Sequence, residues 1–148
     1  VNVIKLMPDQ ISLFWDLIKK GVISAYRIPE KFQQDFTLKY LENLLLGLYQ
    51  CWIGYTEEED EKKIHAILCT KIVNEKEYGV RTIALIGVYG FRLIPQEMVE
   101  LAINKVGEFG KANGCDVIVT EYRLKRVGDM LRNTGFEDHI TIMRKALF

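Results

Sequence analysis

Apolar positions along the chain follow two rhythms, one of period two and one near 3.6, and the order in which they alternate predicts the architecture. The opening VNVIKL alternates β-branched and polar residues, and Pro8 then stands where the first turn of a helix tolerates it. Ile11, Phe14, Trp15, Ile18 and Val22 recur at helical spacing, so a strand is followed by a helix. Pro29, within RIPEKF, ends that helix. A second periodic segment carries Phe36, Leu38, Leu41, Leu44, Leu45 and Leu48 as a stripe expected to face the core, with Thr37 as the N-cap of its regular part.

YQCWIGY and IHAILCTKIV flank the charged run TEEEDEKK, the pattern of an antiparallel hairpin whose tip is a solvated loop rather than a metal or partner site. NEKEYG supplies a polar turn and VRTIALIGVY the next strand, which completes a three-stranded meander. PQEMVELAINKVGEFGKANG predicts a helix with Met98, Leu101, Ala102, Val106 and Phe109 on one face and Asn113-Gly114 as its stop. CDVIVTEY is almost wholly apolar, as expected of a strand buried on both faces and parallel to its neighbour, and it closes a right-handed βαβ crossover. LKRVGDMLRNTG predicts a last helix ending at Gly135, and FEDHITIMRKAL an alternating closing strand. With no repeat, low-complexity tract or linker, residues 1–148 read as one domain.

Composition narrows the partners. Lysine plus arginine equals aspartate plus glutamate at 20 each, so no net field draws the molecule to nucleic acid or an anionic membrane. Hydrophobic residues at 49% and charged residues at 27% are globular values. No leader pattern and no membrane-length apolar run occurs, which predicts a cytoplasmic protein. Cys51, Cys69 and Cys115 are odd in number and lack a CxxC pair, and with only His65 and His139 beside them they predict buried thiols and no metal site. His65 and Cys69 lie roughly 13 Å apart along one strand, too far for a nucleophile pair, and read as packing residues.

The order of strand, two helices, three-stranded meander, helix, strand, helix and strand resembles the GNAT family of acetyl-CoA-dependent N-acetyltransferases over essentially the whole chain. ANGCDVIV is similar to that family's join between long helix and fifth strand, and LRNTGFEDH to its turn into the last strand, ending in Gly-Phe. The resemblance implies an α/β (α+β) fold with a mixed, mostly antiparallel central sheet of about 6–7 strands, about four flanking helices and a parallel βαβ crossover. It further implies that the fourth and fifth strands splay apart to admit the pantetheine arm of acetyl-CoA, with the pyrophosphate at the N-terminus of the following helix.

At that junction, LIGVYGFRLIPQEM, the chain departs from the family pattern of Arg or Gln, two residues, Gly, one residue, then Gly or Ala. Such glycines let backbone amides wrap a phosphate without Cβ atoms in the way, whereas here Leu93, Ile94 and Pro95 fill the cradle and Pro95 has no N–H. The residues that remain for acetyl-CoA are the strand backbone at Val88 and Gly90, with Arg92 for a phosphate. The tyrosine that many members place four residues before the final Gly-Phe, as proton donor to the departing thiolate, is Leu131 here. Glu121 and Tyr122, following the fifth strand, are the candidate catalytic groups, and YRLKR with Arg132 concentrates positive charge that reads as a solvated helix start.

The compact plan of LYQCWIGYTEEEDEKKIHAILCTKIV, a strand ending in LIGVYG and then GKANGCDVIV also resembles the short, divergent GNAT-like proteins encoded among the structural genes of tailed bacteriophages and prophages, in which the Gly-rich loop is commonly eroded. That likeness implies a non-catalytic, virion-associated role with a protein partner or a second copy. VRTIALIGVY and ITIMRKALF are apolar enough to pair across subunits. The alternative is a divergent N-acetyltransferase, which requires an open cleft between the fourth and fifth strands.

Overall fold

A computed structural model describes residues 1–75 and 79–147. Strand β1 (Asn2–Lys5) leads into helix α1 (Pro8–Tyr26), which begins with Pro8 at its first position and ends where Arg27 adopts a left-handed conformation at φ 50°. Helix α2 (Glu30–Leu45) follows directly from Pro29, which caps it. The meander consists of β2 (Tyr49–Glu58), β3 (Glu61–Glu75) and β4 (Val80–Gly90). Helix α3 (Gln96–Ala112), β5 (Val117–Thr120) and α4 (Lys125–Arg132) complete the order.

The five strands lie in the order β1-β2-β3-β4-β5, every neighbouring pair antiparallel except β4 and β5. Period two sorts the side chains to opposite faces. Ile53, Ile67 and Cys69 meet Ile11, Ile18 and Val22 of α1 and Tyr40 and Leu44 of α2, whereas Trp52, Leu68, Ile83 and Leu85 meet Met98 and Val106 of α3 and Leu131 of α4. Close approach of α3 depends on Gly54, where an added Cβ would stand 2.6 Å from the Met98 sulfur. A buried chain of hydrogen bonds, Trp52 Nε1 to Thr70 Oγ1 (3.0 Å) and Thr70 Oγ1 to Gln50 Oε1 (2.8 Å), satisfies the polar groups between the faces.

Several expectations are corrected. Thr37 is not an N-cap: it sits buried inside α2, its hydroxyl donating to the Gln33 carbonyl at 2.7 Å, because the helix already starts behind Pro29. The leucine stripe is only half inward, with Leu44 buried but Leu38, Leu45 and Leu48 exposed. Most of TEEEDEKK lies in β2 and β3, and the tip is the two-residue turn at Glu59 and Asp60, both at positive φ. Of NEKEYG, residues 76–78 lie outside the described residues.

Strand β5 is parallel to β4, as expected, but it is an edge strand with Val117 and Val119 exposed rather than buried on both faces. The reason is that the closing strand does not form: residues 136–147 carry no strand, and Ile140, Ile142 and Met143 (91% exposed) are in solvent. The sheet therefore has five strands among the described residues, not 6–7. Alternation marks a segment fit for a half-buried surface and does not provide one.

Candidate functional site

Strand β4 is bonded on both sides only up to Leu85, which pairs with Thr120, the last residue of β5. Beyond it the two strands part. The amide of Phe91 donates to the His65 carbonyl of β3 at 2.8 Å, so the alternation of an antiparallel strand turns the N–H and C=O of Gly90 and Val88 the other way, into the gap beyond β5. Val88 is 48% exposed and Gly90 is exposed. The pairing thus ends where a cleft is expected, with the backbone of Val88 and Gly90 facing past the end of β5.

Two bulges shape its surroundings. Cys69 pairs with Gly87 and Thr70 with Leu85, which leaves Ile86 unmatched in β4. Gly54 pairs with Ala66 and Tyr55 with Ile64, which leaves His65 unmatched in β3. A bulged residue is re-aimed, and both are put to use. Tyr26, from the end of α1, donates its hydroxyl to the Ile86 carbonyl, and its ring lies over Gly87, where an added Cβ would be 3.4 Å away.

Beside Tyr26 lies a cavity of about 10 Å³, lined among others by Tyr40, Cys69, Gly87 and Val88. Tyr40, 3% exposed, has a hydroxyl with no hydrogen-bond partner among the described residues. Burial pushes the Tyr26 phenol up to about 12 and the Tyr40 phenol well above its ordinary value. The Cys51 thiol is held neutral by its hydrogen bond with Cys69 and by burial.

His65 is not a packing residue, as the sequence reading had it. Its Nδ1 is 2.8 Å from the Leu93 carbonyl and must donate to it, which leaves Nε2 to accept from the Thr56 hydroxyl at 2.9 Å. Its own carbonyl accepts from Phe91 and, at 3.2 Å, Arg92. The loop before α3 is thereby tied to β3, and two amides near the expected phosphate cradle are already occupied. Arg92 is exposed and lines an open groove of about 500 Å³ with Lys62, Lys63 and Leu17. Lys63 bonds Glu58 at 2.9 Å and holds its carboxyl below the usual range, whereas Arg92 has no salt bridge among the described residues.

Past β5, Glu121 is exposed, and Tyr122 packs its ring where a Cβ on Gly128 would lie, 2.5 Å away. The Tyr122 hydroxyl donates to Asp138 at 3.0 Å and accepts from Arg132, which also bonds Asp138 through Nε at 3.0 Å and Asp129 at 3.1 Å. Arg132 and Lys125 are thus paired locally, Lys125 with Asp129 at 3.3 Å. Leu131 is buried against α3.

The fold is shared with solved structures. A predicted acetyltransferase from Clostridium acetobutylicum, solved with acetyl-CoA, superposes at TM-score 0.68 over 99% of this chain and 96% of its own, at 18% identity. An aminoglycoside antibiotic 6′-N-acetyltransferase from Acinetobacter baumannii gives 0.66 over 99% of each chain at 17%. The chain has the GNAT acetyltransferase fold. A ribosomal-protein-alanine N-acetyltransferase from Brucella melitensis shares this fold at TM-score 0.64, 13% identity, 99% of this chain and 98% of its own. By sequence the chain matches no protein-family model and no curated protein.

Among the described residues no helix is long and apolar enough to cross a membrane, and no cluster of three or more His, Cys, Asp or Glu is placed to hold a metal. The sequence pattern singles out Val88 and Gly90 on this strand but not Tyr26 or the bulged Ile86. Signals for the bulges were present in Gly54 and Gly87, lone glycines inside strand patterns.

Proposed function

We propose that this GNAT-fold protein binds an acyl-coenzyme A thioester along the upper half of β4 and transfers the acyl group to an amine. The observation that carries the reading is the unpaired β4 edge, where the backbone groups of Val88 and Gly90 face the gap left by β5. An amide-bearing pantetheine arm matches such an edge as a strand would. The neighbour solved with acetyl-CoA has the same fold, and Arg92 supplies a cation beside the junction. Catalysis in this reading rests chiefly on holding amine and thioester together, with the exposed Glu121 as acceptor of the amine proton and Tyr122 fixing the far bank through Arg132 and Asp138.

Calorimetric titration with acetyl-CoA tests it. The expected result is saturable binding, weakened about tenfold by Gly90→Pro, which removes an N–H that β3 does not use, and likewise by Arg92→Ala. Absence of heat at millimolar ligand would sink the reading.

A second reading takes the same fold as a non-catalytic module for a protein partner or a second copy, in the virion setting that the phage resemblance implies. It draws on the cradle, where the Phe91 and Arg92 amides serve His65 and Pro95 has none, and on Leu131 in the place of a proton donor.

A further inference from the structure

The coenzyme reading leaves the departing thiolate without the usual partner, because Leu131 is apolar and buried on the α3 face. The opposite face of the sheet offers another. We infer that Tyr26 is the hydrogen-bond donor that stabilises the departing coenzyme thiolate, reaching the thioester from α1 over Gly87 rather than from α4; this rests on the acyl-coenzyme A reading above.

Three observations converge on that phenol. Its hydroxyl is held on the Ile86 carbonyl, belonging to the first β4 residue beyond the last pairing with β5 and hence to the vertex of the gap. Gly87, with no side chain, leaves the ring in contact with the strand, the hydroxyl 3.6 Å from where a Cβ would stand. The small cavity beside the ring also borders Val88, whose backbone faces the gap, and the unpartnered Tyr40 hydroxyl lies behind it. Burial keeps the phenol protonated through neutral pH, so its O–H is present as a hydrogen-bond donor whenever the thiolate forms.

The neutral amine nitrogen forms the C–N bond to the thioester carbonyl, the C–S bond breaks, and its electron pair stays on sulfur. Rotation about the Tyr26 Cζ–O bond turns the O–H from the Ile86 carbonyl to that sulfur, and the hydrogen bond stabilises the thiolate as it forms. The acylated nitrogen sheds its extra proton to Glu121, and the thiolate takes a proton from solvent on release. The titratable groups facing Tyr26 are Tyr49, Tyr40, whose phenol burial pushes up, and Cys69, whose thiol is lowered by its hydrogen bond with Cys51.

The test follows the thiol of bound coenzyme A by its thiolate ultraviolet absorbance as pH is raised, in the wild type and in Tyr26→Phe, with desulfo-coenzyme A as the binding control. A hydrogen-bonded thiolate is stabilised, so the bound thiol should titrate about one pH unit lower in the wild type than in the variant, a tenfold change in its ionisation constant. Desulfo-coenzyme A should bind both equally. Equal thiol titration with coenzyme A still bound would overturn the role of Tyr26 and leave the coenzyme reading standing, whereas no binding of either coenzyme would overturn both. Should Tyr26→Phe fail to fold, Gly87→Ala carries the test: its Cβ meets the ring only at ordinary contact distance, and it should remove part of the shift by blocking the swing of the hydroxyl.

Discussion

The two halves of β4 belong to one strand yet meet different fates. From Thr82 to Leu85 the backbone is bonded to β3 on one side and β5 on the other, and the side chains are buried, Ile83 at 1% exposure. From Ile86 to Gly90 it is bonded to β3 alone, and Val88 and Gly90 are open. One unmatched residue and the early end of β5 make the difference. The comparison teaches that a strand can anchor a core with its saturated half while its unsaturated half offers a ligand the hydrogen bonds of an edge.

The largest effect should come from breaking the lower half. Ile83→Ala removes buried methyl and methylene groups packed between α3 and the sheet and should lower stability by about 2–5 kcal/mol. Val88→Ala, one bulge higher, should change it by no more than about 0.5 kcal/mol. Denaturant midpoints at unchanged slope measure both. Equal losses would mean that the upper half is as integral to the core as the lower, and the distinction would fall.

A smaller effect sharpens the same contrast at the top of the strand. His65 spans Thr56 and the Leu93 carbonyl, so it fixes the loop before α3 without entering either core cluster. His65→Ala should cost about 1–2 kcal/mol. Its signature is local: the Phe91 and Arg92 amides should exchange with solvent about tenfold faster, while those of Ile83 and Leu85 keep their protection. Uniform acceleration across β4 would contradict the independence of its halves.

Much of this contrast was legible in the sequence as a framework and little of it as chemistry. Periodicity located every element from β1 to α4 because helix and strand burial leave different repeats, and Pro8, Pro29 and Gly114 punctuated them. Gly90, Val88 and Arg92 could be placed at the junction of a strand and a helix because that junction is a fixed place in the chain. Tyr26 and Ile86 could not, since their contact joins residues 60 apart through a bulge whose register no local pattern specifies. His65 was misjudged for the same reason, its spacing to Cys69 having been reckoned on an unbroken strand. The closing strand was overcalled from ITIMRKAL because alternation reports compatibility with a sheet, whereas pairing needs a partner.

The smallest effect belongs to the far bank of the gap, where exposed charge holds what burial holds elsewhere. Arg132 and then Tyr122 bond the Asp138 carboxyl and keep it below its ordinary range. A depressed carboxylate contributes stability that is complete above the unfolded value of about 4 and is lost as pH falls through the lower folded value. Acidification below about pH 4 should therefore loosen Tyr122 from Asp138, seen as a change in the Tyr122 ring resonances that tracks the Asp138 carboxyl in an NMR titration. Asp138→Asn should abolish that acid step while leaving the Ile83 region unchanged, and added salt should weaken the wild-type interaction because the pair is exposed. A midpoint for Asp138 at or above the ordinary aspartate value would show that the clasp does not hold the bank. The upper half of β4 would then face a gap bounded on one side only.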